Sequence, residues 1–399
     1  MRPLAGRPTC GTRRGRGWLD RVVPVSAAPT REEHAERSSA TFDALQRAFY
    51  DGRTGLYRKA RRFLLRRPFE VLWPFANAWA STCSLAALAN GTVEGPAVDS
   101  SNASGLLDSR IQAALRYASW RDRQPASAAP LGLGSTVYRP LWSPLARRLW
   151  RVGAAYHDDN EWIALALLHQ HRVTDDPRCV ETARRIFAFT VGGWCDIPEW
   201  SHPGGIRWAE AAWSVGRNTC SNGPAAEVGA ELFLITSERW FLDWAGRIYD
   251  WARGALLGED GLYADQIRPD GRVEAAIWSY NQGSMIGAGV LLHEATGDRE
   301  YLDQAERTAA ASLAHYADVD RLAGELPIFV AVYLRSLLLL DALRPNARYR
   351  AVAESYATAM WERRRDPVSG LFLPESSGVN GTAPLVAVEA MLAGSQPRP

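Results

Sequence analysis

The feature that most constrains this fold is an alternation of two kinds of helix. The segment Trp162-Ile163-Ala164-Leu165-Ala166-Leu167-Leu168 is apolar all round, a pattern that suits a helix enclosed on every side. It is followed by a tight polar turn, Thr174-Asp175-Asp176-Pro177, and then by a helix with one apolar stripe. There Val180, Ala183, Phe187 and Val191 fall on one side, with Glu181, Arg184 and Arg185 on the other. The pattern returns over 224–252, 284–313 and 327–361, with turns at Thr236-Ser237-Glu238, Thr296-Gly297-Asp298 and Pro345-Asn346. Partial copies add outer-type helices at 41–50 and 112–120 and inner-type helices at 79–88 and 385–392. About twelve helices in six hairpins, each pairing a buried with a half-buried helix, predict an all-α barrel: an inner ring wrapped by an outer one. Trp240, Trp244 and Trp251 lie on such a stripe and are read as core, and Asp175-Asp176 before Pro177 as capping.

Charge is uneven along the chain. Residues 1–70 hold 16 Arg/Lys against 7 Asp/Glu, which leaves the body mildly acidic and argues against a nucleic-acid partner. Residues 1–35 are read as a disordered basic leader, 36–395 as one catalytic domain, and 91–130, rich in Ser, Gly, Ala and Pro, as a loop-rich insert. Arg61-Arg62 and Arg66-Arg67 read as a solvated face. The pair Arg13-Arg14 resembles a twin-arginine export start, yet Asp20, Arg21 and Pro24 interrupt the apolar run of ~7–15 residues such a signal needs. The expectation is a cytoplasmic protein, with export the weaker alternative. No stretch approaches the ~20 apolar residues of a membrane span. Five cysteines without a CxxC spacing argue against a disulfide framework or a zinc site, and leave Cys195 and Cys220 as a pair that the spacing neither joins nor separates.

Geometry points to one face. Turns within each hairpin are short and links between hairpins are long, so the inner helices start on the face that carries the long loops. Their starts are polar and aromatic: Tyr156 to Trp162, Arg217 to Asn222, Trp278 to Gly283, and Trp73 to Trp79. Amides and carboxylates bond sugar hydroxyls and aromatic faces stack on sugar rings, so this rim has the composition of a carbohydrate site. Asp158-Asp159 is its candidate engine. Glycoside cleavage generally uses two carboxyl groups, held ~5–5.5 Å apart in retaining enzymes, and neighbours at a helix start can reach that range. Two such close acids couple, which keeps one protonated. By contrast, His169, His171, His293 and His315 read as structural. His202 and Trp200 are candidates for a substrate role in the loop before Gly205.

The run Tyr156-His157-Asp158-Asp159-Asn160-Glu161-Trp162-Ile163-Ala164-Leu165-Ala166 resembles the signature of glycoside hydrolase family 76, the endo-α-1,6-mannanases. Further blocks are similar: Gly205-Ile206-Arg207-Trp208, Asn218-Thr219 with Asn222-Gly223-Pro224, Tyr280-Asn281-Gln282-Gly283, and Trp73 with Ala76-Asn77-Ala78. The resemblance covers roughly residues 40–390. It implies an (α/α)6 barrel and a retaining mechanism on α-1,6-mannan, with Asp158 as nucleophile and Asp159 as acid/base, and no metal or organic cofactor. Substrate contacts are then expected from Tyr156, Trp162, Arg207, Trp208, Asn218, Asn222, Tyr280, Asn281, Gln282, Asn77 and Trp73. The partner is a mannan-type oligo- or polysaccharide, met by a monomer. His157 and Glu161 stand where the family often has other residues.

Transglycosylation on the same glycan and glycan binding without catalysis are the alternatives. A sugar epimerase of the helical-barrel type needs paired catalytic histidines, which this rim lacks. A terpene cyclase needs an acid four residues after the first Asp, where Trp162 stands.

Overall fold

The computed structural model describes residues 28–60, 68–98, 101–117, 136–139, 154–372, 374 and 378–394. Among them thirteen helices form: α1 (Arg31–Phe49), α2 (Leu72–Ala89), α3 (Ser101–Ala114), α4 (His157–Thr174), α5 (Pro177–Val191), α6 (Thr219–Thr236), α7 (Arg239–Leu256), α8 (Ser279–Thr296), α9 (Arg299–His315), α10 (Val319–Ala323), α11 (Pro327–Leu343), α12 (Ala347–Arg363) and α13 (Gly378–Ala393). The apolar helices build a closed inner ring: α2 packs on α4, α4 on α6, α6 on α8, α8 on α11, α11 on α13, and α13 back on α2. Each carries an outer helix, α3, α5, α7, α9 and α12 on the first five and α1 on α13. The last pair is thus made from the two ends of the chain. Fully buried His34 Nδ1 lies 2.5 Å from Glu389 Oε2, and Ser38 Oγ donates to the Val386 carbonyl at 2.8 Å. The six-hairpin (α/α)6 barrel expected from the sequence is the fold. No helix among the described residues is long and apolar enough to cross a membrane.

Several boundaries differ from expectation. The sequence reads 1–35 as leader, but Thr30 and Glu33 form a capping box that starts α1 at Arg31, so 31–35 belong to the barrel. Residues 1–27, with Cys10 and Arg13-Arg14, lie outside the described residues, as do Arg61-Arg62 and Arg66-Arg67. The outer helix expected at 112–120 is α3, which begins at Ser101 inside the supposed insert; 118–130 lie outside the described residues. Inner helices start earlier than their apolar runs because polar rim residues form their first turn. Pro224 therefore lies inside α6 rather than heading it.

The two ends of the barrel are finished differently. At the short-turn end, Thr30, Asp176, Asp298 and Asn346 cap outer helices through their side chains. At the long-loop end, α2, α4, α6, α8 and α11 begin without a side-chain cap. Short strands tie the long links together. β1 (Tyr50–Asp51) pairs antiparallel with β2 (Leu56–Tyr57); β3 (Arg217–Asn218), β4 (Gln266–Ile267) and β5 (Val273–Glu274) form an antiparallel sheet in that order. The echo Gly55-Leu56-Tyr57, Gly261-Leu262-Tyr263 and Gly370-Leu371-Phe372 marks one device. The glycine turns back at positive φ, and the aromatic two residues on pairs with the end of the preceding outer helix, as Tyr50–Tyr57, Leu257–Tyr263 and Arg365–Phe372.

Candidate active site

A cleft of about 1030 Å³ opens at the long-loop end. Asp158 and Asp159 enter it from the first turn of α4, with Tyr156 and Trp162 of the same segment, Trp73 of α2, Asn218 and Cys220 at the start of α6, and Tyr280 of α8. Two aromatic groups line it. Tyr156, Trp208 and Trp213 meet edge-on or tilted, with Tyr156 and Trp208 centroids 4.9 Å apart. On the other elements Phe329 of α11 gathers Trp73, Tyr280 and Trp278 at 5.5, 4.2 and 5.7 Å. Trp213 is 59% exposed, a large indole offered to solvent at the rim.

The adjacent acids have unlike surroundings. Asp158 Oδ1 accepts from the Asp159 amide at 2.9 Å, and Oδ2 from Trp208 Nε1 at 3.0 Å. Burial pushes Asp158 up to about 6, while Trp208, the Asp159 amide and the Cys220 thiol pull against that by donating to its anion. Asp159 is held well above the usual carboxylate range by burial first and the charge of Asp158 second, with no donor among the described residues to relieve it. The order of ionisation follows: Asp158 loses its proton first and Asp159 keeps one.

Trp208 is delivered to Asp158 by the packing of its loop. The His157 amide donates to the Trp208 carbonyl at 2.9 Å, and Tyr156 bridges Ala209. The buried His157 ring stacks on Phe189 at 4.6 Å and donates from Nε2 to Glu210 at 3.0 Å. Burial lowers the His157 pKa, against the pull of Glu210. This histidine is a strut for the loop.

Six expected contacts line the cleft beside the acids: Tyr156, Trp162, Trp208, Asn218, Tyr280 and Trp73. Five do not. The Asn222 amide group brackets the backbone of Ile206, accepting from its N–H at 2.9 Å and donating to its carbonyl at 3.1 Å, and reaches the Asn218 carbonyl at 2.8 Å. Gln282 does the same to Tyr263 and Trp278. Asn160 repeats it on Tyr138 and Tyr156. Each is the fourth residue of its inner helix, so these buried amides pin loops to the barrel, with both N–H donors of each spent on backbone carbonyls. Buried Asn281 donates to Asp265 at 3.4 Å. Arg207 turns to Cys195. Asn77, one turn into α2, lines a separate axial cavity of about 390 Å³ beneath the cleft. His202 and Trp200 also lie away from the cleft: the carbonyls of 201, 202, 204 and 268 converge on the guanidinium of buried Arg217, which stacks on Trp200. Cys195 and Cys220 are separate free thiols.

Sequence reasoning missed Trp213, Phe329, Asp265 and Glu325, all on the cleft wall. Glu325 is held by Ser279 and Tyr316, and burial raises the Asp265 pKa. Trp278, which opens the rim segment Trp278 to Gly283, lines the cleft as well. Among the described residues no group of three or more His, Cys, Asp or Glu is arranged to hold a metal ion. One ionised and one protonated carboxyl, side by side between aromatic walls, form an arrangement fit for acid-assisted substitution at a sugar carbon.

The chain resembles solved structures over most of its length. An α-mannanase of family 76 from Bacteroides thetaiotaomicron superposes with a TM-score of 0.72 at 20% identity, over 90% of this chain and 95% of that one. An inactive variant of an α-1,6-mannanase from Salegentibacter sp. HEL1_6, two consecutive aspartates replaced by asparagine, in complex with α-1,6-mannotriose, gives 0.67 at 22% identity over 90% and 99%. In sequence, the mannan endo-1,6-alpha-mannosidase DCW1 of Saccharomyces cerevisiae is 33% identical over 103 residues, 24% of this chain and 23% of that protein. The match thus spans about a quarter of that relative's length. The family model for glycosyl hydrolase family 76 matches residues 150–366, more than half of the chain and both acids with it, and the chain belongs to that family.

Proposed function

We propose that this protein is a retaining glycoside hydrolase that cuts α-1,6-mannosidic linkages in a mannan-type glycan, with Asp158 as nucleophile and Asp159 as acid/base. The observation that carries this is the asymmetry of the pair: Asp158 has donors on both oxygens, and Asp159 has none among the described residues. Asp158 attacks the anomeric carbon and forms an ester as the bond to the leaving oxygen breaks. Asp159 gives that oxygen its proton, then takes one from the water that hydrolyses the ester. Family membership supports the reaction class. The substrate reading draws on the names of the relatives and on the mannotriose bound by an inactivated neighbour.

The test is incubation of the purified protein with linear α-1,6-mannooligosaccharides, followed by mass spectrometry. Shorter products that vanish in Asp158→Asn and in Asp159→Asn, both folded, are expected. Full activity in either variant removes that residue from the mechanism, and binding without turnover favours a glycan-binding protein. Transfer to a sugar hydroxyl is the second reading, favoured by aromatic walls formed by two separate clusters, enough to seat an acceptor as well as a donor sugar. Products longer than the substrate at high glycan concentration would identify it.

A further inference from the structure

The acid pair has a third neighbour. Glu161 lies on α4 one turn below Asp158, 1% exposed, and neither of its carboxyl oxygens has a hydrogen-bond partner. The groups that act on it electrostatically are Asp158 and Asp159 from its own helix and, from α6, the Cys220 thiol; Tyr280 of α8 stands on the far side of Cys220. None of them brings a positive charge. Elsewhere in the barrel the buried acids Glu227 and Glu231 are paired with Arg335 and Arg172.

We propose that Glu161 is a third acid of this site: it holds a proton beneath Asp158 and Asp159, and it shares with Asp159 the titration that ends activity on the alkaline side. A bare carboxylate in that position would be buried beside an existing negative charge, so the group neutralises itself by keeping its proton. Burial and then the two aspartates push its pKa well up. Three carboxyls thus carry one negative charge, and it rests on Asp158, the one with donors. As pH rises, the next proton comes from Asp159 or Glu161 and goes to solvent, and the two titrate as a pair. Glu161 touches no substrate and acts through Asp159. The catalytic part of this rests on the glycosidase reading; the buried proton does not.

The experiment compares wild type with Glu161→Gln, and with the apolar Glu161→Met should the first variant not fold. A group whose folded pKa lies above its unfolded value stabilises fully below the unfolded value, and that contribution is lost as pH climbs towards the folded one. The variant lacks this loss, so its Tm should gain on wild type by about 2 °C per pH unit between pH 5 and 8. A Tm difference independent of pH overturns the proton. In kcat/KM on α-1,6-mannooligosaccharides, an ionised Glu161 would hold the proton on Asp159, so Glu161→Gln should move the alkaline limb to lower pH, by about twofold or more in the apparent acid constant. Superimposed limbs overturn the coupling to Asp159. A growing Tm gap with no mannan cleavage by either protein upholds the proton and counts against the substrate instead.

Discussion

The two ends of this barrel bury acids in opposite ways. Towards the short turns, Glu227 and Glu231 project from α6 and each meets an arginine from another inner helix, Arg335 of α11 across the ring and Arg172 of the adjacent α4. Towards the long loops, Asp158, Asp159 and Glu161 project from α4, and no arginine among the described residues is paired with them. The helices are of the same kind and their core is continuous, so the difference lies in the partners. A buried carboxylate with a cation is a fixed charge that ties two helices; one without is a group whose proton can move. The inner ring therefore carries paired charge at one end and acids without a cation partner among the described residues at the other, and Trp162 lines both the cleft and the cavity beneath it.

The sharpest way to break this comparison is to neutralise the acids at the long-loop end. Asp158→Asn and Asp159→Asn should each lower kcat/KM by about 10³-fold or more on mannooligosaccharides, without lowering Tm at neutral pH. An equal loss of Tm would make the aspartates structural, like their counterparts below. The complementary change at the short-turn end is Arg335→Ala. It strands Glu227, fully buried, and should cost about 3 kcal/mol in denaturant unfolding, the low end for a broken buried pair because Arg335 is itself partly exposed. Joint replacement by methionine at 227 and 335 should recover most of that loss.

A smaller effect tests the donors that keep Asp158 ionised. Trp208→Phe removes the indole N–H from its anion, so the Asp158 pKa rises from about 6 and the acid limb of kcat/KM moves to higher pH by up to about one unit. The activity deficit should be about tenfold at pH 5 and fade towards pH 8. Smallest in activity is Asn222→Ala. A loop pin should lose about 2 kcal/mol of stability with a modest rise in KM, because the Ile206 N–H and carbonyl are left unpaired. A sugar ligand at 222 would raise KM and leave Tm alone.

Most of the architecture was legible because it rests on burial, and burial writes a period into the sequence. Trp162 to Leu168 is apolar on every face because α4 is enclosed, and Val180, Ala183 and Phe187 repeat because α5 covers it. Helix starts were less legible. The first turns of α6 and α8 are polar residues that face a cleft and loops, so no apolar run announces them. The acids were found because they stand together at a helix start. Asn222 and Gln282 were misjudged for a chemical reason: an amide that could bond a sugar hydroxyl bonds a peptide group equally well, and only the loop's path decides between them. Trp213 and Phe329 carry no local mark; they reach the cleft through folding of distant segments.

The pairing of α1 with α13 has a consequence for how the molecule is made. The His34–Glu389 contact joins residues 355 positions apart, so the ring cannot seal until α13 has left the ribosome. Until then α2 and α11, which carry Trp73 and Phe329, have no α13 between them, and the cleft has no fixed width. Synthesis and the closing of the cleft are thereby coupled, and a chain joined end to end and reopened at the tight turn between α6 and α7 would escape that order while keeping every wall of the cleft.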